Sequence, residues 1–173
     1  MVLDLVLDGL DTYMAEYGDH QILPQEIKIY VEGGLGVPEE LRDMFPRRYI
    51  CDPWKRTKYS EWKFDENGLF QARVEGSESE WVVYDDKWTG RELPRYEYVG
   101  GCWFVFKGVK YWKYCVEKEN SESVLMSSSD SETPITVTKG AEESYTLHGA
   151  LTVSPDSGWI SWVISAQKFH VEI

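Results

Sequence analysis

The chain has 173 residues, 42% hydrophobic and 14% aromatic, with 30 acids against 18 lysines and arginines for a net charge of −12. One domain with a sizeable core, residues 1–173, is expected from that length, and the charge disfavours nucleic acid while favouring a basic protein partner or solubility alone. No run of 18 apolar residues occurs, and Asp4, Asp8 and Asp11 interrupt the first apolar stretch where a secretory signal would be basic, so a soluble cytoplasmic protein away from membranes is expected.

Leu3, Leu7, Leu10, Met14 and Tyr17 recur at spacings of four and three, and Val6 and Tyr13 widen that stripe. The period predicts an amphipathic helix over 2–17, ended by Gly18. Alternation of Leu3, Leu5 and Leu7 offers a strand instead, but the helical period survives four turns. Ile27, Ile29 and Val31 alternate with Lys28, Tyr30 and Glu32, which predicts a strand. Gly33-Gly34-Leu35-Gly36 follows, and Pro38 opens a short helix through Phe45 with Glu39 and Glu40 in its first turn. Strand, glycines and helix suggest a phosphate loop. The spacing is not G-x-G-x-x-G and no Gly-Lys-Ser/Thr follows, so a plain glycine loop is the reading adopted.

Residues 47–60 form a basic connector, with Arg47, Arg48, Lys55, Arg56 and Lys58 against Asp52 alone. Tyr49, Trp54, Tyr59 and Trp62 interleave with these charges, as in a single-strand nucleic-acid groove. The acidity of the remaining chain argues instead for a solvated connector whose arginines pair with acids of the same protein.

Residues 61–173 read as an antiparallel β part. Asn67-Gly68 marks a hairpin turn between strands at 62–64 and 69–74, and 81–84 is the next strand. Residues 96–117, YEYVGGCWFVFKGVKYWKYCVE, are the richest in aromatics and predict a central hairpin. A type II′ turn at Gly108-Val109 would pair Phe106 with Tyr111, Trp103 with Tyr114 and Cys102 with Cys115. The last is a non-hydrogen-bonded pair within disulfide reach. Nothing marks an oxidising compartment and three cysteines is an odd number, so free buried thiols are the simpler expectation. Residues 119–133 are serine-rich and acidic, which predicts a mobile loop. Strands at 135–138, 145–153, 158–164 and 168–173 complete the pattern. The fold class expected is β-rich α+β: a curled antiparallel sheet, barrel or sandwich, with an N-terminal helix and a second short helix.

His20, His148 and His170 have no metal-ligand spacing with Cys51, Cys102, Cys115 or each other, and no H-E-x-x-H, G-x-S-x-G or C-x-x-C occurs. No metal or cofactor is therefore expected. The leading functional expectation is a non-catalytic acidic protein that engages a basic protein, as an inhibitor or a nucleic-acid-mimicking decoy. Its contacts would be Glu75, Glu78, Glu80, Asp85, Asp86, Glu142 and Glu143. The alternative is a small-ligand or carbohydrate-binding barrel whose cavity is lined by Trp81, Trp103, Trp112 and Tyr114. An enzyme, with Cys51 or a carboxylate pair at its centre, is the third class. Cys51 with His148 is one pair that could be assembled in space, and a nucleophile within hydrogen-bond reach of a histidine would indicate this class.

Overall fold

A computed structural model describes residues 1–52, 57–67, 69–74, 81–84, 97–118, 123–128, 143–152 and 158–173. Its strands are β1 (Val2–Leu3), β2 (Glu16–Leu23), β3 (Glu26–Gly33), β4 (Arg47–Asp52), β5 (Thr57–Phe64), β6 (Phe70–Val74) and β7 (Trp81–Tyr84), followed by β8 (Glu97–Gly100), β9 (Cys102–Lys107), β10 (Tyr111–Lys118), β11 (Val124–Ser127), β12 (Glu143–Leu151), β13 (Gly158–Ala166) and β14 (Lys168–Glu172). Nine form one sheet in the order β1-β14-β9-β3-β2-β12-β13-β10-β11, and five form a second in the order β7-β6-β5-β4-β8. The large sheet is mixed rather than purely antiparallel, because β2 and β12 run parallel through Glu16 and Ala150. Among the described residues no helix is long and apolar enough to cross a membrane.

The large sheet must curl. Only Gln167 separates β13 from β14, yet these strands hold the seventh and second places in the order. One residue bridges only about 7 Å, so the sheet folds over until those ends meet. Lys110 N donates to Ser165 O at 3.0 Å, and Gln167 N donates to Lys107 O at 2.9 Å, fastening that corner. The result is two layers, β1-β14-β9-β3-β2 over β12-β13-β10-β11, joined at the β2–β12 contact. Alternation along each strand sends one row inward. Ile27, Ile29, Val31, Phe104 and Phe106 from one layer meet Leu147, Ile160, Trp162 and Ile164 from the other in a single buried cluster. Among the described residues the sheet stays open, with β1 and β11 at its ends.

The helix predicted over 2–17 is absent. Residues 2 and 3 pair with β14, Leu7–Gly9 form one 3-10 turn, and Asp11 bridges Gly36. Leu7 is buried, but Val6 and Tyr13 of the same stripe are 70% and 83% exposed. An isolated helix of this length is marginal in water. Strand pairing with the C-terminus, and burial of Leu7, Ala15 and Tyr17, outweigh it. The second short helix is a 3-10 helix, Glu39–Met44, behind Pro38. The glycine loop serves a close backbone crossing: Gly34 has φ +71°, and a Cβ there would lie 1.8 Å from Met14 O.

The hairpin predicted over 96–117 does not form. Strand β9 lies between β14 and β3, whereas β10 lies between β13 and β11. Val109 N donates to Gln25 O and Lys110 N to Ser165 O, so the chain crosses from one layer to the other at Gly108 instead of folding back. In a flat hairpin both aromatic rows would share one face and need further cover. Split between layers, Phe104 and Phe106 face the layer that carries Tyr114 and Trp162, and each row covers the other. Cys102 and Cys115 are free thiols. The stretch predicted as a loop over 119–133 contains β11, because Val124, Leu125 and Met126 find backbone partners on the edge of β10. Residues 119–122 and 129–133, and the strand predicted at 135–138, lie outside the described residues.

The basic connector is also a pair of strands: β4 and β5 are adjacent in the second sheet. Ile50, Tyr59, Phe70 and Ala72 make its small core. Leu35 and Val99 exchange backbone hydrogen bonds of 3.1 and 2.8 Å, tying the two sheets together. The hairpin predicted at Asn67-Gly68 joins β5 to β6, with Phe64 opposite Phe70. Asp65 Oδ1 accepts from Asn67 N and Leu69 N, both at 2.8 Å. Asp65→Ala should therefore cost about 1 kcal/mol, water replacing part of what is lost. Chemical denaturation checks this, and an unchanged midpoint contradicts it.

Candidate functional site

The densest aromatic grouping lies where β10 and β13 pair. Register sets Tyr114 opposite Trp162 and Val116 opposite Ile160, all on the inner face. The Tyr114 and Trp162 rings are 4.5 Å apart, and Trp112 stacks on Tyr114 at 5.9 Å and 15°. His20 reaches them from β2, edge-on at 5.2 Å to both Tyr114 and Trp162.

A bulge delivers His20. Tyr17 pairs with Val31 and His20 with Ile29, so three steps on β2 match two on β3. One extra residue reverses the alternation, so that His20, although exposed, lies on the same side of the strand as buried Tyr17. Beside this group opens a cavity of about 250 Å³ lined by His20, Tyr114, Val116, Leu151 and Ile160, with Asp19 and Lys118 adding opposite charges. Lost hydration lowers the His20 pKa, with Asp19 opposing, so the ring is mostly neutral at pH 7. Burial raises the Tyr114 pKa, and its hydroxyl donates to Met126 Sδ at 2.7 Å. Trp162 Nε1 is buried and has no hydrogen-bond partner among the described residues.

Of the four residues predicted to line an aromatic cavity, the fold brings Trp112 and Tyr114 together. Trp103 lies on the outer face of the other layer, 5.0 Å from Tyr30. Trp81 belongs to the five-stranded sheet, with Lys63 Nζ 4.4 Å over its ring. Of the four, Tyr114 is the one that lines the cleft, where His20 joins it, and fully buried Trp162 packs against both rings. Trp162 had a signal, because Ile160, Trp162 and Ile164 alternate; His20 had none, because a bulge leaves no mark in the sequence. Of the acidic residues predicted to bind a partner, Glu75, Glu78, Glu80, Asp85, Asp86 and Glu142 lie outside the described residues. Glu143 is exposed at the start of β12 and accepts the Tyr145 hydroxyl at 2.9 Å. Arg47 pairs with Glu32, Arg42 with Glu97, and Arg48 with Glu97 and Asp43.

On the outer face of β3 and β14, Lys28 Nζ lies 2.8 Å from Glu172 Oε2, and His170 Nε2 lies 3.0 Å from Glu172 Oε1. The Lys28 hydrogen bond, then that of His170, holds Glu172 below the usual carboxylate range. The same bond to Glu172 raises Lys28. A lowered carboxylate stabilises the fold above its unfolded pKa of about 4.3, and that contribution is lost as pH falls through the folded value. A raised lysine stabilises below about 10.4, and its contribution is lost as pH rises through its folded value. Glu172→Gln should therefore lower Tm at pH 7, and the gap to wild type should close in acid. A gap that persists at the lowest pH would show that the loss is not electrostatic.

His148 Nδ1 lies 2.9 Å from Ser161 Oγ, the distance a nucleophile and its base require. The pair sits directly cross-strand on the outer face of β12 and β13, exposed at His148 and apart from the residues that line the His20 cleft. Burial pushes the Cys102 thiol up to about 12, which keeps it protonated and inert. The side chain of Cys51 lies outside the described residues. No group of three metal-ligating side chains occurs among the described residues. Comparison of the chain with protein families, with curated proteins and with solved structures gave no match.

Proposed function

We propose that this is a non-catalytic binding protein that takes a small ligand, one ring in size, in the cleft beside His20, Tyr114 and Trp162. The meeting of His20 and Tyr114 at an open cavity, with buried Trp162 packed against both, carries the reading. Its volume of about 250 Å³ falls below the roughly 300–1,000 Å³ of sites for larger ligands, which points to a single sugar or aromatic ring. Such a ring would contact Tyr114, Val116 and Ile160, while neutral His20 offers one donor and one acceptor. Free Cys102 and Cys115 support a reducing, cytoplasmic setting. Saturation-transfer NMR with monosaccharides and simple aromatic alcohols is the test. Hits are expected, with signals lost in Tyr114→Ala and weakened in His20→Ala while the β-sheet spectrum is retained. Hits indifferent to both changes, or none at millimolar concentration, would overturn the reading.

The charge favours a second reading, a basic protein partner on an acidic surface that also discourages nucleic acid. Arg42, Arg47, Arg48 and Lys28 are each engaged by acids of the same chain. With these cations neutralised internally, the net −12 rests on the remaining acids. Glu75, Glu78, Glu80, Asp85, Asp86, Glu142 and Glu143 are the candidates, and the protein would act as an inhibitor or decoy.

A further inference from the structure

Strand β2 is paired along only part of the edge that faces β12, and its other neighbour fixes which way its backbone points. Gly101 N donates to Val31 O at 2.8 Å and Val109 N to Gln25 O at 3.1 Å, so Gln25, Ile27, Ile29 and Val31 turn their N–H and C=O groups to the β9 side. Glu26 and Lys28 therefore bond β2, through Leu23 and Gln21. His20 stands opposite Ile29 and Ile22 opposite Ile27, so the N–H and C=O groups of His20 and Ile22 point away from β3. Before the bulge Tyr17 shares that direction, and its carbonyl accepts Thr152 N at 2.9 Å. There the contact with β12 ends. Strand β12 pairs with Glu16 and Tyr17, and among the described residues no backbone group meets His20 or Ile22. Residues 19–23 are all exposed, Ile22 and Leu23 by 38% and 47%. Residues 20–23 carry no lysine or proline, the side chains that guard a free edge. The cleft opens beside this edge, lined by Asp19 and His20 from β2 and by Tyr114 and Val116 from β10.

We propose that this edge takes an extended, basic peptide segment of a partner protein, which adds a strand to β2 and turns one aromatic side chain into the cleft. The inference rests on the reading of the cleft given above and makes its ring a peptide side chain. Backbone hydrogen bonds to His20 and Ile22 supply affinity for any extended chain, and the cleft supplies selection. A strand paired there lies about 4.8 Å from β2. Its residue opposite His20 points to the same face as His20, whose ring is 5.2 Å from that of Tyr114. The cavity of about 250 Å³ suits one such side chain. The net charge of −12, with Asp19 on the edge strand itself, favours lysine or arginine on either side of the ring.

The test is an NMR titration of the full chain with the acetylated, amidated peptide Lys-Thr-Phe-Thr-Lys, its analogue with alanine for phenylalanine, and benzyl alcohol as the ring alone. The phenylalanine peptide should bind about tenfold tighter than either of the others. The His20 and Ile22 amides should exchange fast in the free chain and be protected in the complex. Ile22→Pro removes the outward N–H and leaves the β3 ladder intact, because proline is tolerated where an edge N–H faces solvent. It should weaken the peptide severalfold more than Ile22→Ala does, and leave benzyl alcohol unchanged. Glutamate in place of both peptide lysines should weaken binding severalfold. A peptide that binds no tighter than benzyl alcohol, while benzyl alcohol still depends on Tyr114, overturns the inference and leaves the cleft reading standing. Absence of binding by both overturns both. His20 and Ile22 amides that are protected in the free chain, or unprotected in the complex, also overturn the inference.

Discussion

Trp162→Ala should lower stability by about 3–5 kcal/mol, among the largest effects of any single truncation in the chain. The side chain is fully buried at the centre of β13, opposite Tyr114 on one neighbour and Leu147 on the other. It touches His20, Tyr114 and Trp112, so its loss leaves a cavity between layers that the surrounding strands cannot close. Because Nε1 makes no hydrogen bond among the described residues, Trp162→Phe removes volume only and should cost about 1–2 kcal/mol. Urea denaturation separates the two. A cost for alanine below about 1 kcal/mol would mean that the layers do not close over this residue.

Gly34→Ala should cost about 3 kcal/mol or more. A left-handed φ of +71° alone penalises alanine by about 1–2 kcal/mol. The new methyl would also meet Met14 O at 1.8 Å and Met14 C at 2.6 Å, both backbone atoms, so the crossing of the N-terminal segment over β3 must move. Gly9→Ala is the control: nothing lies within 4 Å of its Cβ position, and the change should stay within about 0.5 kcal/mol. Equal effects at the two positions would contradict the crossing.

Strands whose apolar residues alternate strictly were legible in the sequence. Ile27, Ile29 and Val31 gave β3, and Ile160, Trp162 and Ile164 gave β13, because period-two patterning is local. Pairing was not. The rows around Gly108 suit a hairpin equally well as two strands in opposite layers, and what decides is cover from β3, β13 and β14, which are remote in sequence. The N-terminal stripe failed for a related reason: Leu3 and Leu7 do turn inward, but Leu3 from a strand that the C-terminal strand holds and Leu7 from a single 3-10 turn. At the site, Trp112 and Tyr114 were legible as a pair because residues two apart on a strand share a face. Trp81 and Trp103 matched them in composition, but composition does not say which face or which sheet a tryptophan occupies. His20 depended on one extra residue in β2.

The affinity of the best ring-shaped ligand, measured at about 20 mM and about 500 mM salt in wild type and Tyr114→Ala, tests the central claim most directly. Binding in the cleft predicts a Kd that changes less than about twofold with salt, because stacking is not screened, and binding that is lost in the variant. A Kd that weakens steeply with salt and ignores Tyr114→Ala would contradict the cleft and place recognition on the acidic surface.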